Sequence, residues 1–306
     1  MAKCLVLGGN GFIGSHLVDE LIVQGHEVTV FCREYSNRHM NSHAKYCYGD
    51  FMNTTDINRS ISGNEFVFHC ITLTNPAISE NNPYIDLDTN VRMTVQLLES
   101  CVENGIKRII FPSSGGAIYG ENTKGIYSES DATMPMSPYA IGKQTIEGYL
   151  RYFNKKHKLD YLILRISNVY GFGQNTSGGK HGVVSVFLEN AIQDKPVIVL
   201  GDGTMVRDYI YIDDLIDILT KMSFLNTKHK LYNVGAGKGE SLNEVILEIE
   251  NILNRKIKKK YIEKPSSYVD KIILDCTRLN NEFNLAPSIS LSKGIELLFH
   301  KTKNDN

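Results

Sequence analysis

The sequence lacks any apolar run approaching the ~18–20 residues of a membrane span. Its opening run, Cys4-Leu5-Val6-Leu7, is broken at once by Gly8 and Gly9, too short for the core of a secretory signal. No membrane partner is expected. It also lacks an excess of charge: 33 basic against 34 acidic residues leave a formal net charge of -1, so no global field draws in nucleic acid. The six cysteines, Cys4, Cys32, Cys47, Cys70, Cys101 and Cys276, include no Cys-x-x-Cys pair, which argues against both a zinc site and a disulfide framework. No metal site is expected, and cytoplasmic residence follows as the default.

What is present is an ordinary globular composition, 42% hydrophobic and 22% charged over 306 residues, long enough for one large or two smaller domains. Short β-rich runs (3–7, 27–32, 65–70, 108–112, 161–166) alternate with amphipathic stretches (13–24, 84–104, 138–157). That alternation predicts a doubly wound α/β domain, a parallel sheet of the Rossmann type with helices on both faces. The rhythm loosens after residue 168. There follow a Gly-rich segment (171–182), a helix (184–193), a strand (197–200) and the loop Gly201-Asp202-Gly203-Thr204. We expect a dinucleotide-binding domain over 1–168 with a returning segment near 207–230, and a smaller C-terminal substrate-binding lobe over 169–306. The basic run 256–260 reads as a solvated strand edge.

Gly8, Gly11 and Gly14 fall where the first strand meets the first helix, the context in which a Gly-x-x-Gly-x-x-Gly spacing carries meaning. The backbone there can turn tightly and approach a pyrophosphate at a helix N-terminus. The second strand ends in Cys32-Arg33 in place of the acidic residue that would hold a ribose hydroxyl. An arginine suits a 2′-phosphate, so NADP stays open beside NAD. Asp50, after the third strand, is placed to meet an adenine amino group or to form a turn.

Ser137-Pro138 is a helix start, and Tyr139 and Lys143 then share one helical face. A free phenol has a pKa of ~10. A neighbouring ammonium and a positive nicotinamide ring both favour its deprotonated form, which makes Tyr139 a candidate general base. A serine from Phe111-Pro112-Ser113-Ser114 would share the hydrogen bond of a substrate alcohol. His69, at a strand end, reads as a packed histidine.

These residues resemble those of the extended short-chain dehydrogenase/reductases, in the NAD-dependent epimerase/dehydratase group that acts on nucleotide sugars. The resemblance spans nearly the whole chain. It is carried by Gly-Phe-Ile-Gly-Ser-His (11–16), Asp88-Thr89-Asn90-Val91, Ile118-Tyr119-Gly120, residues 138–143, Leu164-Arg165-Ile166-Ser167-Asn168-Val169-Tyr170-Gly171, Gly201-Asp202-Gly203, Val206-Arg207-Asp208-Tyr209-Ile210 and Tyr232-Asn233-Val234-Gly235. It implies Ser114, Tyr139 and Lys143 as the catalytic set, with Ser113 as the alternative serine. It implies a cofactor site of Gly8, Gly11, Phe12, Ile13, Gly14, Arg33, Asp50, Phe51, Cys70, Ile71, Thr72, Asn90, Ser113, Tyr139 and Lys143. Ser114, Tyr139, Asn168 and Arg207 would meet the substrate, with Asn168 and Arg207 on a nucleotide diphosphate; Arg207 pairing with Asp208 is the alternative. A homodimer joined through the 84–104 and 138–157 helices is also implied.

Departures narrow the reaction. Where the dehydratases of this group carry Asp-Glu after the catalytic hydroxyl, this chain has Gly115-Gly116, so loss of water is not expected. Lys264-Pro265-Ser266-Ser267 stands in for a basic-acidic nucleotide contact, and its acid is missing. The expected activity is 4-epimerisation of a UDP-hexose (UDP-glucose and UDP-galactose, or N-acetyl forms) through a transient 4-ketose with tightly held NAD. The alternative is an NAD(P)H-dependent 4-keto nucleotide-sugar reductase.

Overall fold

The structure is a computed structural model. It describes the chain except residues 34–39, 75, 121–123, 177–181, 265–267 and 305–306, and the side chains of 76 and 77. Part of the Gly-rich segment and Pro265-Ser266-Ser267 therefore lie outside the described residues.

The chain forms two compact units, interleaved in sequence: residues 1–118, 135–165 and 219–231 in the first, and 119–134, 166–218 and 232–306 in the second. In the first, the buried runs Cys4–Leu7 and Val67–Phe68 and the fully apolar Ile109–Phe111 form central strands because both their faces are covered by helices. The sheet runs, in spatial order, Leu231–Val234, Asp160–Ile166, Arg108–Ser114, Phe66–His69, Lys3–Leu7, Glu27–Cys32, Lys45–Tyr48. The strand Lys3–Leu7 pairs in parallel with Glu27–Cys32 on one side and with Phe66–His69 on the other. The chain thus winds outward from the first strand, then restarts on its other side. That reversal is where an open α/β sheet leaves a crevice at its carboxyl ends.

The expected strand ending at Pro112 continues to Ser114, and a single helical turn, Gly115–Ile118, follows. The expected 84–104 helix is not uniform: Asp86–Val91 is π-helical and only Arg92–Glu103 is α. Such one-turn widenings occur often at functional sites. The helix Pro138–His157 matches the expected bounds. Its cap is Ser137, whose side chain accepts a bond from the Ala140 N–H at 3.3 Å, and it ends at Lys158 with φ 61°.

The second unit holds a five-stranded sheet in which Gly239–Ser241, Val206–Tyr211, Lys271–Leu274 and Ile126–Tyr127 lie in order and Asn168–Tyr170 pairs with Val206–Tyr211. A separate parallel pair joins Val197–Leu200 to Lys259–Ile262. The basic run behaves as a solvated edge: Lys256 and Lys259 pair with Glu250, and Lys258 with Asp194. Among the described residues no helix is long and apolar enough to cross a membrane.

Candidate active site

At the carboxyl end of the first strand, the Gly8 N–H bonds the Phe31 carbonyl and the Gly11 N–H bonds the Gly8 carbonyl, each at 2.9 Å. Gly8 has φ 78°, and a β-carbon on it would stand 3.0 Å from Ile71 Cγ1. The turn therefore lies against the residues that follow the fourth sheet strand. A β-carbon on Gly14 would meet the Gly8 carbonyl oxygen at 2.2 Å and Gly9 Cα at 2.9 Å, so nothing larger than glycine fits without moving backbone. The helix Phe12–Val23 starts at Gly11 with no capping side chain and no acidic residue in its first turn. Its first N–H groups point their positive end at whatever occupies the crevice, as a pyrophosphate requires. This geometry fits a dinucleotide.

Around that turn the expected cofactor residues separate. Arg33 is exposed beyond the second strand. The Asp50 carboxylate accepts the Met52 N–H at 2.9 Å, the turn-forming role. Phe51 is buried with its ring 5.4 Å from His69. Phe12 packs edge-on to His16 and Ile13 is half-buried. The Cys70 N–H bonds the Leu7 carbonyl at 3.0 Å, and burial pushes its thiol up to about 12. Thr72 is exposed, with its hydroxyl on the Thr74 carbonyl at 3.2 Å. His69 is packed, as read from the sequence: Nε2 is 2.8 Å from Thr94 Oγ1, and burial, aided by Lys143, pulls it down to about 3.

Ser114 lies close enough to the Tyr139 phenol to hold its pKa down in part. Lys143 Nζ lies 5.8 Å from the centre of the Tyr139 ring and 4.6 Å from that of Phe111, and donates to the Pro112 carbonyl at 3.2 Å. The tyrosine, the lysine and the serine are thus gathered at the end of one strand. Ser113 turns the other way. It is buried and donates to Glu147 Oε1 at 2.7 Å. Glu147, fully buried, is held by Arg165 through Nε at 3.1 Å and Nη2 at 2.8 Å.

The expected easing toward phenolate joins the lysine to a bound nicotinamide ring; in the cofactor-free fold burial, reinforced by the Asp86 carboxylate and only partly offset by Ser114, pushes Tyr139 up to about 12. Lys143 moves the other way. Burial brings it down to about 8 against the pull of Cys70, Asp86 and Glu147. In the protein alone, the phenol holds its proton.

Asp86 was not singled out from the sequence. It is 2% exposed, and its Oδ1 accepts from Thr74 Oγ1 at 2.6 Å and Asn90 Nδ2 at 2.7 Å, while Oδ2 accepts from Ser79. Asn90 is consumed by the same cluster: Oδ1 takes the Leu73 N–H at 3.0 Å and Nδ2 also reaches Thr74 at 2.8 Å. Sequence signals existed in hindsight. Asp86 and Asn90 stand four apart, and Glu147 stands four after Lys143, the spacing of helical neighbours.

In the second unit, Asn168 Nδ2 donates to the Asp208 carbonyl at 3.2 Å. Arg207 does not pair with Asp208. Its guanidinium donates to the carbonyls of Val206 at 2.8 Å and Val269 at 2.7 Å, and no carboxylate ion-pairs with it among the described residues. Asp208 is instead buried under the N–H groups of Ala236, Gly237 and Leu274, at 2.8, 3.1 and 3.2 Å.

The model of the NAD dependent epimerase/dehydratase family matches residues 4–235. An Escherichia coli dTDP-4-dehydro-6-deoxyglucose reductase is 31% identical over 96% of this chain and 95% of its own length. Among solved structures, UDP-glucose 4-epimerase of Thermotoga maritima with UDP-glucose is similar at TM-score 0.93 and 34% identity, covering 99% of both chains. UDP-glucose 4-epimerase of Thermus thermophilus in complex with NAD is similar at 0.92 and 28%, again over 99% of both.

Proposed function

The chain belongs to the NAD-dependent epimerase/dehydratase family, and from that premise we propose that it interconverts UDP-hexoses at carbon 4, UDP-glucose with UDP-galactose or their N-acetyl forms. The observation that carries this reading is the placing of Ser114 and of the Lys143 ammonium beside Tyr139, followed by Gly115 and Gly116 where removal of water would need an acid and a base. Chemistry at such a site stops at exchange of a proton and a hydride on one carbon.

NAD, when bound, supplies the carbon that accepts hydride from the sugar and returns it. The backbone from Gly8 to Gly14 takes its pyrophosphate, and Cys70, Ile71 and Thr72 line the crevice beside the turn. Lys143 anchors its nicotinamide ribose and lends positive charge to Tyr139. Tyr139, favoured as phenolate by Lys143 and by the positive nicotinamide ring when NAD is bound, would receive the proton of the sugar 4-hydroxyl as the 4-ketose forms and give it back as the second face is reduced. Ser114, beside the same phenol, steadies the sugar oxygen while it carries charge. Asn168 and Arg207 hold the nucleotide diphosphate. Arg207 suits this because its guanidinium is bonded, among the described residues, to neutral groups, backbone carbonyls and the Met205 sulfur. In this reading the first unit carries the cofactor and most of the second carries substrate contacts.

Two coarser expectations belong here as well. Ile141, Tyr149 and Tyr152 are exposed on the helix Pro138–His157, and Tyr84 and Leu87 are exposed near the start of the 86–103 helical segment; such apolar side chains support a homodimer. Six free cysteines suit a reducing cytoplasm.

The test uses purified protein without added nicotinamide or reductant. UDP-glucose should pass to UDP-galactose, and back, until the two equilibrate. The similarity to the Escherichia coli reductase and the exposed Arg33 favour a second reading, a 4-keto nucleotide-sugar reductase. Stoichiometric oxidation of NADPH on a 4-keto nucleotide sugar, with no interconversion of UDP-hexoses, selects it.

A further inference from the structure

We propose that Asp86 is a positioning residue for this site, a fixed buried anion behind Tyr139 and Lys143 that keeps the phenol able to return its proton to the ketone. This rests on the 4-epimerase reading, because only a reaction that runs both ways through one ketone requires the same hydroxyl to take and to give back one proton.

The geometry supports a charge rather than a mere hydrogen-bond cluster. All three donors to the Asp86 carboxylate, Thr74, Ser79 and Asn90, are neutral, and no lysine or arginine ion-pairs with it among the described residues. Its negative charge therefore stays uncancelled at contact distance, in a place 2% exposed, where fields are poorly screened. The helix carrying Tyr139 comes close at Gly142. A β-carbon there would stand 3.4 Å from Asp86 Cβ and 3.6 Å from Oδ1. Positions 139, 142 and 143 share one helical face, so the closest approach directs the carboxylate to the stretch that carries the phenol and the ammonium.

The charged and titratable groups facing this stretch come from each packed element. The π-helical segment contributes Asp86. The helix itself contributes Lys143, with Glu147 one turn further on. The end of the fourth sheet strand contributes His69, held neutral, and Cys70, held as thiol. The ammonium of Lys143, 5.8 Å from the Tyr139 ring centre, pulls the phenol toward phenolate, and a phenolate can accept a proton but not supply one. Asp86 opposes that pull, and it also helps Lys143 stay charged despite burial.

The test is the pH dependence of kcat for UDP-glucose epimerisation by the holoenzyme, comparing wild type with Asp86→Asn, which keeps the shape and removes the charge. Removing an anion lowers the pKa of the phenol, so the acidic limb should move to lower pH by about one unit. Thr74→Val removes the hydroxyl's two hydrogen bonds, to Asp86 and from Asn90, and leaves the charge, and its limb should stay where the wild-type limb lies. An unmoved limb in Asp86→Asn, or an equal displacement in Thr74→Val, overturns the proposal. Should Asp86→Asn not fold, Asp86→Ser is equally neutral and carries the same expectation. If the wild type epimerises no UDP-hexose, the functional reading has failed by itself. The tyrosinate absorbance of the protein, taken as a difference against Tyr139→Phe, then reads the phenol directly: a lower midpoint without the Asp86 charge upholds the proposal, and equal midpoints overturn it.

Discussion

Ser113 and Ser114, adjacent on one strand, face opposite ways: Ser113 donates to Glu147 Oε1 at 2.7 Å, and Ser114 lies beside Tyr139. Strand alternation alone dictates that only one of them can address the phenol. Ser114→Ala should therefore lower kcat by about 10²-fold, the scale of a lost oxyanion partner, with stability almost unchanged. Ser113→Ala should cost about 1–3 kcal/mol of stability by stripping a buried carboxylate of a partner. Steady-state kinetics and urea unfolding of the two variants separate these roles; the reverse assignment would exchange the outcomes.

A second prediction concerns Gly14. The β-carbon of Gly14→Ala would lie 2.2 Å from the Gly8 carbonyl oxygen, so the turn must shift. Purified Gly14→Ala should carry markedly less nicotinamide cofactor than wild type, measured by mass spectrometry of the supernatant after denaturation.

Arg207 gives a third. Replacing a charge-assisted phosphate contact typically costs about 1.5–3 kcal/mol, so Arg207→Ala should raise KM for UDP-glucose roughly 10- to 100-fold. Cofactor content should be unchanged. An unaltered KM would remove Arg207 from the diphosphate site.

Lys143 predicts a stability signature. Its pKa falls from 10.5 in the unfolded chain to about 8 in the cofactor-free fold. Between those values the unfolded state binds more protons, so this group's contribution to stability rises as pH increases from about 8 toward 10.5 and is lost as pH falls through 8. Tyr139 acts oppositely and later: its pKa is raised, so its contribution is full below 10 and is lost as pH rises toward 12. Denaturant midpoints of cofactor-free wild type and Lys143→Met, taken across pH 7–10, should differ by a term that grows more favourable to wild type with pH. A constant difference contradicts the lowered pKa.

Much of this site is legible in the sequence for local reasons. The glycines sit at a strand-helix junction and Ser137-Pro138 begins the helix, so the turn, Tyr139 and Lys143 follow from spacing alone. What spacing does not reveal is burial and long-range pairing. Glu147 meets Ser113 across 34 residues and Arg165 across 18, and no periodicity announces either. The rise of Tyr139 in the cofactor-free fold is hidden from the sequence for the same cause: the lysine is visible at i+4, while the enclosing core and the carboxylate of Asp86 are not. Asp50 was readable both ways, and its bond to the Met52 N–H shows the turn-forming role in use.

The central claim, that one hydride leaves and returns to the same sugar carbon while Tyr139 carries the proton, is tested most directly with UDP-glucose deuterated at carbon 4. The account predicts UDP-galactose that keeps the deuterium at carbon 4 with none lost to water, and Tyr139→Phe slowed by about 10²- to 10⁴-fold. Loss of the label to solvent during epimerisation, or full activity in Tyr139→Phe, would contradict it.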